Sequence, residues 1–167
     1  RDDVTFHDGK PLTSADVAYT FAHIMDPAID GIAKSVLQII ERVETPDEQT
    51  AVFHLTQPHA EFPVLLMGFQ TSIIPADSGD TIGETGIGTG PFKLETLDPT
   101  GTTRLVANDD YWQGEPGVAA VEFIGIAESG ARLQALQAGQ IDLLHEVTPQ
   151  EAQQLATNTE FIVDEFP

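Results

Sequence analysis

Five histidines, His7, His23, His54, His59 and His145, are the first residues to weigh for chemistry. A metal centre built on histidine wants paired ligands on one face, as in His-x-x-x-His. These five show no such spacing, and the absence of cysteine removes thiolate ligands, thiolate nucleophiles and disulfides together. His7, beside Asp8-Gly9, reads as a turn histidine. Gly86-Ile87-Gly88-Thr89-Gly90-Pro91 is rich enough in glycine to cradle a phosphate, but it lacks the Gly-Lys-Ser/Thr that would complete the site. Proline also stands where the helix should open, so the run reads as a glycine-permitted bend between two substructures. Asn108-Asp109-Asp110 offers oxygen ligands without the glycine and distal glutamate of a calcium loop, and reads as a strand-ending turn. There is no Gly-x-Ser-x-Gly elbow, and carboxylates are so common that pairs arise by chance. No catalytic residue, metal ligand or cofactor site is assigned. What remains is polar or aromatic and suited to binding. Gln70-Thr71-Ser72 and His145-Glu146-Val147 lie at the tips of expected strands, where ligand contacts tend to gather, although ordinary solvated turns look the same. Tyr111-Trp112 could line a cleft, but a role at a core edge is favoured.

The elements that must position these groups are short. His7-Asp8-Gly9-Lys10 is a turn. Thr13 is an N-cap with Asp16 placed to reach back to it, and Val17, Phe21 and Ile24 form one apolar stripe ended by Asp26-Pro27. A second helix is expected over about Ile32 to Ile40, with Ala33, Val36, Leu37 and Ile40 on one side. Val43 to Thr45 and Thr50 to Thr56 form a hairpin around Pro46-Asp47-Glu48. A short helix follows at Phe62 to Met67, then a strand at Ser72 to Pro75, then a small, acidic, glycine-rich surface connection over 76–90. Phe92 to Leu97 pairs with Thr103 to Ala107, and Val118 to Ile126 is a further strand. Ser129 caps a helix through Leu133 and Leu136 that Gly139 closes. Ile141 to Val147 is a strand, Thr148-Pro149-Gln150-Glu151 is a capping box with proline at the first helical position, and Phe161 to Val163 is a last strand. The pattern is α+β: mixed sheets with flanking short helices.

Composition limits the partners. At 167 residues the chain can hold one domain or two small ones. It carries 27 acidic against 7 basic residues, a formal charge of −20. Such a surface excludes nucleic acid as a partner, because phosphate binding needs basic clusters. Dispersed acid with only three lysines fits a protein working at high salt, where charge repulsion is screened within about 3 Å at 1 M. An acidic bacterial protein of ordinary habitat is the alternative. No apolar run approaches the roughly 20 residues of a spanning helix. Arg1-Asp2-Asp3 does not open a signal peptide, and Val4-Thr5-Phe6 reads as the end of a strand whose partners lie elsewhere.

Four blocks, in order, resemble one family. They are Val4-Thr5-Phe6-His7-Asp8-Gly9-Lys10-Pro11-Leu12-Thr13-Ser14-Ala15-Asp16-Val17, Gly88-Thr89-Gly90-Pro91-Phe92-Lys93-Leu94, Asn108-Asp109-Asp110-Tyr111-Trp112, and Ala135-Leu136-Gln137-Ala138-Gly139-Gln140-Ile141-Asp142. Together they resemble the extracellular solute-binding proteins of the peptide/nickel class, the oligopeptide and dipeptide receptors of ABC importers. The resemblance implies a two-lobed, periplasmic-binding-protein-like fold that closes on a ligand and delivers it to membrane permease subunits. It implies that 1–88 is an extra α+β subdomain of lobe I and 89–167 part of its main subdomain. An N-terminal portion with a lipoprotein signal and the second lobe would lie outside the chain. The implied setting is extracellular, cell-surface or periplasmic, with a lipid anchor on the full-length protein. Ligand contacts are implied near Ile39, at Gln70, Thr71 and Ser72, and at His145, Glu146 and Val147. Ile39 departs from the aromatic or polar residue that such a contact favours. The implied ligand is an oligopeptide or dipeptide; a nickel chelate, sugar or other small solute is the alternative on the same scaffold. A hydrolase using acidic residues is the remote alternative, which turnover of a peptide or ester would reveal.

Overall fold

The computed structural model describes residues 1–29 and 33–164, so the expected helix start at Ile32 lies outside the described residues. The described residues form two compact units, within 1–123 and over 124–164, and the expected boundary at 88 falls inside the first.

The first unit opens with the expected turn. Gly9 takes φ +85°, and Thr5 and Pro11 bridge across it. Helix α1 (Ser14–Met25) follows. Asp16 Oδ2 accepts from the Thr13 backbone N–H at 2.8 Å and from its hydroxyl at 2.9 Å, closing the N-terminus as its spacing requires. Helix α2 is one turn (Lys34–Leu37), shorter than expected, because the chain is already in strand β1 (Ile40–Asp47) by Ile40. Ala33, Leu37 and Ile40 are buried, but Val36 is 52% exposed and does not share their face. Strand β1 pairs antiparallel with β2 (Thr50–Leu55) as the expected hairpin. Helix α3 (Phe62–Leu65) carries proline in its first turn. The core is the buried set Phe21, Ala33, Leu37, Ile40 and Phe62. The Phe53 ring stands edge-on to Phe21 at 4.9 Å and tilts against Phe62 at 5.4 Å. Each large side chain buried here contributes about 1.5–3 kcal/mol, so α1 and the hairpin are held by packing more than by propensity.

A 3₁₀ turn at Phe69–Thr71 follows α3. The strand expected at Ser72 to Pro75 does not form. Its backbone is pinned to side chains of α1 instead: Ile74 N–H donates to Thr20 Oγ1 at 3.0 Å, and Ala76 N–H donates to Asp16 Oδ1 at 2.8 Å. Buried polar backbone needs partners, and here a helix supplies them. Within the expected surface connection a single-turn helix α4 (Ile82–Thr85) ends at Gly86, which takes φ +57°. Strands β3 (Phe92–Thr96), β4 (Thr102–Ala107) and β5 (Ala120–Ile124) make a sheet in the order β3-β4-β5. The β3–β4 turn is drawn in by Asp98, whose carboxylate accepts from the N–H groups of Thr100 and Gly101. Those donors hold its pKa below the usual range.

The second unit holds α5 (Ser129–Gln137) and α6 (Pro149–Ala156). Ser129 does not cap α5 as expected. Glu128 stands at the N-cap, and the Ser129 hydroxyl donates to Glu151 at 2.6 Å. Gly139 closes α5 as expected, with φ +66°; its N–H donates to Leu136 O, and Gln140 N–H donates to Ala135 O. That is the two-bond closure in which a left-handed glycine satisfies the last carbonyls. Residues 141–147 and 161–163, expected as strands, form no ladder with any described residue. Apolar and β-branched residues favour an extended chain, but a ladder also needs a partner.

Candidate functional site

The loop 66–72 presents the first group of implied contacts. Thr71 is buried, and its hydroxyl donates inside the loop, 2.7 Å from Gly68 O with Leu66 O at 2.9 Å. The Ser72 hydroxyl donates to Phe69 O at 2.8 Å. These bonds stiffen a knuckle whose outer surface is Met67, Phe69 and Gln70, with Met67 and Phe69 80% and 83% exposed. Gln70 and Ser72 are exposed, whereas Thr71 serves the loop itself. Ile39 is half-buried against the same core as Leu65, Leu66 and Ile73, and its carbonyl accepts from Thr56 N–H at 2.9 Å. The outward Met67 and Phe69 are a feature that periodicity does not reveal, because the helix ends at Leu65 and a 3₁₀ turn re-aims the chain.

His145, Glu146 and Val147 belong to the second unit. His145 and Glu146 are exposed, and Glu146 takes φ +60°, an uncommon conformation for a side-chain-bearing residue. Val147 lines a groove together with Leu136, Leu155 and Phe161 and the carboxylates of Asp142, Glu160 and Asp164. Just beyond, Thr148 and Glu151 form the expected capping box. Glu151 Oε2 accepts from Thr148 N–H at 2.8 Å, and Thr148 Oγ1 accepts from Glu151 N–H at 3.3 Å. The Ser129 hydroxyl, then Thr148, hold the Glu151 carboxyl down to about 2.

The glycine-rich junction has a different function. Neither Gly88 nor Gly90 takes a positive φ; the left-handed residue is Gly86, where an added Cβ would lie 2.9 Å from the Leu94 side chain. The 88–90 backbone acts as a hydrogen-bonding rail. His7 N–H donates to Gly88 O at 2.9 Å, and Gly88 N–H donates to His7 Nδ1 at 3.1 Å. With Nδ1 accepting, Nε2 carries the proton and donates to Gly90 O at 3.1 Å. Asn108 Nδ2 donates to the same carbonyl at 3.0 Å, and Asn108 N–H donates to Pro91 O at 2.9 Å. Asn108 is buried, and its Oδ1 has no partner among the described residues. Close by in sequence, Trp112 carries the Arg1 guanidinium over its ring at 4.3 Å, and its own ring lies 5.5 Å from Tyr111. The two aromatics are half-buried, in keeping with the core-edge reading. Three of the four sequence blocks therefore meet at one backbone carbonyl. His7 is more than the turn residue that its neighbours suggest.

Among the described residues, no group of three or more His, Asp or Glu is arranged to hold a metal ion, and no helix is long and apolar enough to cross a membrane. The family model for bacterial extracellular solute-binding proteins, family 5 (middle region), matches residues 1–167. The chain belongs to that family. Its relatives include the oligopeptide-binding protein AppA of Bacillus subtilis, 28% identical over 153 residues, which are 85% of this chain and 28% of AppA. Among solved structures, MoaA of A. tumefaciens R10 in complex with mannopinic acid superposes with a TM-score of 0.90 at 28% identity. The match covers 98% of this chain and 34% of MoaA. DppA of Helicobacter pylori in complex with the peptide STSA gives 0.82 at 27% identity, covering 98% of this chain and 37% of DppA. The family member thus has the fold of part of a two-lobed periplasmic binding protein, and it spans about a third of the length of these relatives.

Proposed function

We propose that this chain is part of the receptor of an ABC importer, which captures oligopeptides or dipeptides outside the membrane and hands them to permease subunits. The observation that carries this reading is the family match along the whole chain, joined to likeness with peptide-binding relatives. The receptor is non-enzymatic. Ligand touches both lobes, stabilises the closed form and shifts an existing open–closed equilibrium. In this chain Gln70 and Ser72 on the stiffened knuckle, with Ile39 behind them, supply one set of contacts. Exposed His145 and Glu146, with Val147, supply another, and Thr71 contributes by holding its loop. Residues 1–88 form an extra subdomain of lobe I, and 89–167 return the chain to the main subdomain through the Gly88–Leu94 junction. The full-length protein is lipid-anchored at the cell surface or in the periplasm.

Mass spectrometry of ligands co-purified with the full-length receptor tests the assignment: oligopeptides are expected, and a single defined non-peptide solute overturns it. A small-solute receptor is the second reading, favoured by the likeness to MoaA bound to mannopinic acid. The 167-residue chain alone should show no micromolar peptide binding by calorimetry, because the other lobe supplies the remaining contacts.

The protein also works at high salt. Arg1, Lys10, Arg42 and Arg104 are paired with carboxylates, and Lys34 and Arg132 are engaged by backbone carbonyls. Most of the 27 acids consequently have no cation to offset them. Thermal stability should rise from low to molar potassium chloride; a flat profile would remove this reading.

A further inference from the structure

The knuckle at 66–72 carries a glycine that its backbone does not require. Gly68 takes φ −69° and ψ 146°, extended values open to any residue. Its neighbour sets it apart. A Cβ added at Gly68 would lie 2.6 Å from the side-chain oxygen of Gln70, and beyond the chain neighbours only that amide comes within 4 Å. The Gln70 carbonyl therefore lies across the bare face of Gly68, with the NH2 group farther off. The amide is exposed, and no hydrogen bond engages it among the described residues. Gly68 itself is fixed: its carbonyl accepts from the Thr71 N–H at 3.0 Å and from the Thr71 hydroxyl at 2.7 Å, and Thr71 is buried. On either side of Gly68 in sequence stand the exposed Met67 and Phe69. A free amide donor beside two apolar side chains matches an amino-acid residue within a peptide, whose main-chain carbonyl accepts one hydrogen bond and whose side chain brings apolar area. A formal charge of −20 opposes a second copy of this chain as the occupant.

We infer that Gly68 is a positioning residue of the ligand site and that Met67 and Phe69 set its specificity. Gly68 leaves the space in which the Gln70 amide rests, so that the NH2 group is presented to a main-chain carbonyl of the captured peptide. Met67 and Phe69 receive an apolar side chain of the same peptide. The captured peptides are accordingly those with apolar residues. The inference rests on the peptide-receptor reading above and names a class of peptide within it.

Calorimetry on the full-length receptor with two tetrapeptides, Ala-Leu-Leu-Ala and Ala-Ser-Ser-Ala, tests it. The unaltered receptor should bind the first at least about 10-fold more tightly. Met67→Ser and Phe69→Ser together should bring that ratio below about 3-fold. Gly68→Ala should weaken both peptides alike by about 10-fold, because the carbonyl is common to both. It should not lower the melting midpoint, because the backbone suits alanine and only the end of a flexible side chain must move. Gln70→Ala should weaken both peptides in the same way, and adding it to Gly68→Ala should cost nothing further, since the glycine acts through that amide. Capture of neither peptide overturns the peptide-receptor reading and this inference with it. Equal or reversed preference in the unaltered receptor overturns the inference alone. So does a loss in the Met67→Ser, Phe69→Ser variant that is the same for both peptides, since the knuckle would then meet the other lobe. Gly68→Ala that binds as the unaltered receptor does, or that loses affinity together with a midpoint lowered by about 5 °C or more, removes the positioning role.

Discussion

Residues 1–123 and 124–164 are assembled from the same materials, short capped helices joined by extended segments, and they differ in what lies between those segments. In the first, α1, the β1–β2 hairpin and α3 enclose Phe21, Leu37, Ile40 and Phe62. In the second, Leu133, Ala135 and Leu155 are buried, while Leu143 and Ile162 stay in contact with solvent. Order in the second unit comes from helix ends: the Thr148–Glu151 box, the Ser129–Glu151 bond and the glycine closure of α5. Such closures are local and need no distant partner. A core needs several segments to arrive together, and the second unit has too few of its own.

If the contrast is right, the largest effect belongs to the first unit's core. Leu37 has no exposed surface, and Leu37→Ala should lower stability by about 3 kcal/mol in denaturant unfolding. A loss below about 1 kcal/mol would mean that the core is loosely packed and the contrast overstated. Next comes the junction. Gly86→Ala combines a left-handed backbone with a clash against Leu94 and should cost about 1–2 kcal/mol, whereas Gly90→Ala, with nothing near its would-be Cβ and no positive φ, should cost far less. Equal losses would restore the view that the 88–90 glycines serve the bend. In the second unit, Thr148→Ala should cost about 1 kcal/mol as a lost cap, read as faster amide exchange in α6. The smallest and most specific effect concerns acid. Glu151 titrates at about 2 in the folded chain against an ordinary 4.5. Its stabilisation is therefore complete above about pH 4.5 and is lost as the pH falls towards 2. Helix α6 should loosen over that window, and Glu151→Gln should flatten its share of the response. An unchanged profile in the variant would show that the box does not hold the second unit together.

The sequence was most legible where the chain interacts with its near neighbours. The Thr13–Asp16 and Thr148–Glu151 spacings, Gly139, the Gly9 turn and the two hairpins all form as read, since each needs only a few consecutive residues. It was least legible where the partner lies far away. Ser72 to Pro75 has the β-branched residues of a strand, but Ile74, and Ala76 just beyond, give their backbone N–H groups to Thr20 and Asp16 on a helix more than fifty residues earlier. Ile141 to Val147 and Phe161 to Val163 have strand composition without a strand to pair with. Serine favours the N-cap position, yet at Ser129 a nearby carboxylate claims the hydroxyl. For the candidate site, sequence located the loop at 70–72 but could not tell that Thr71 points inward while Met67 and Phe69 point out.

The carbonyl of Gly90 accepts from His7, 83 residues away, and from Asn108, 18 residues away. A single oxygen thereby registers whether both the opening turn and the end of β4 have arrived. Until the opening turn and the end of β4 are both in place, one donor at this point is left without its acceptor. The two are energetically coupled in consequence: a double-mutant cycle on His7 and Asn108 should return a total loss different from the sum of its parts. The region that most clearly marks the family would then serve as the checkpoint of its assembly.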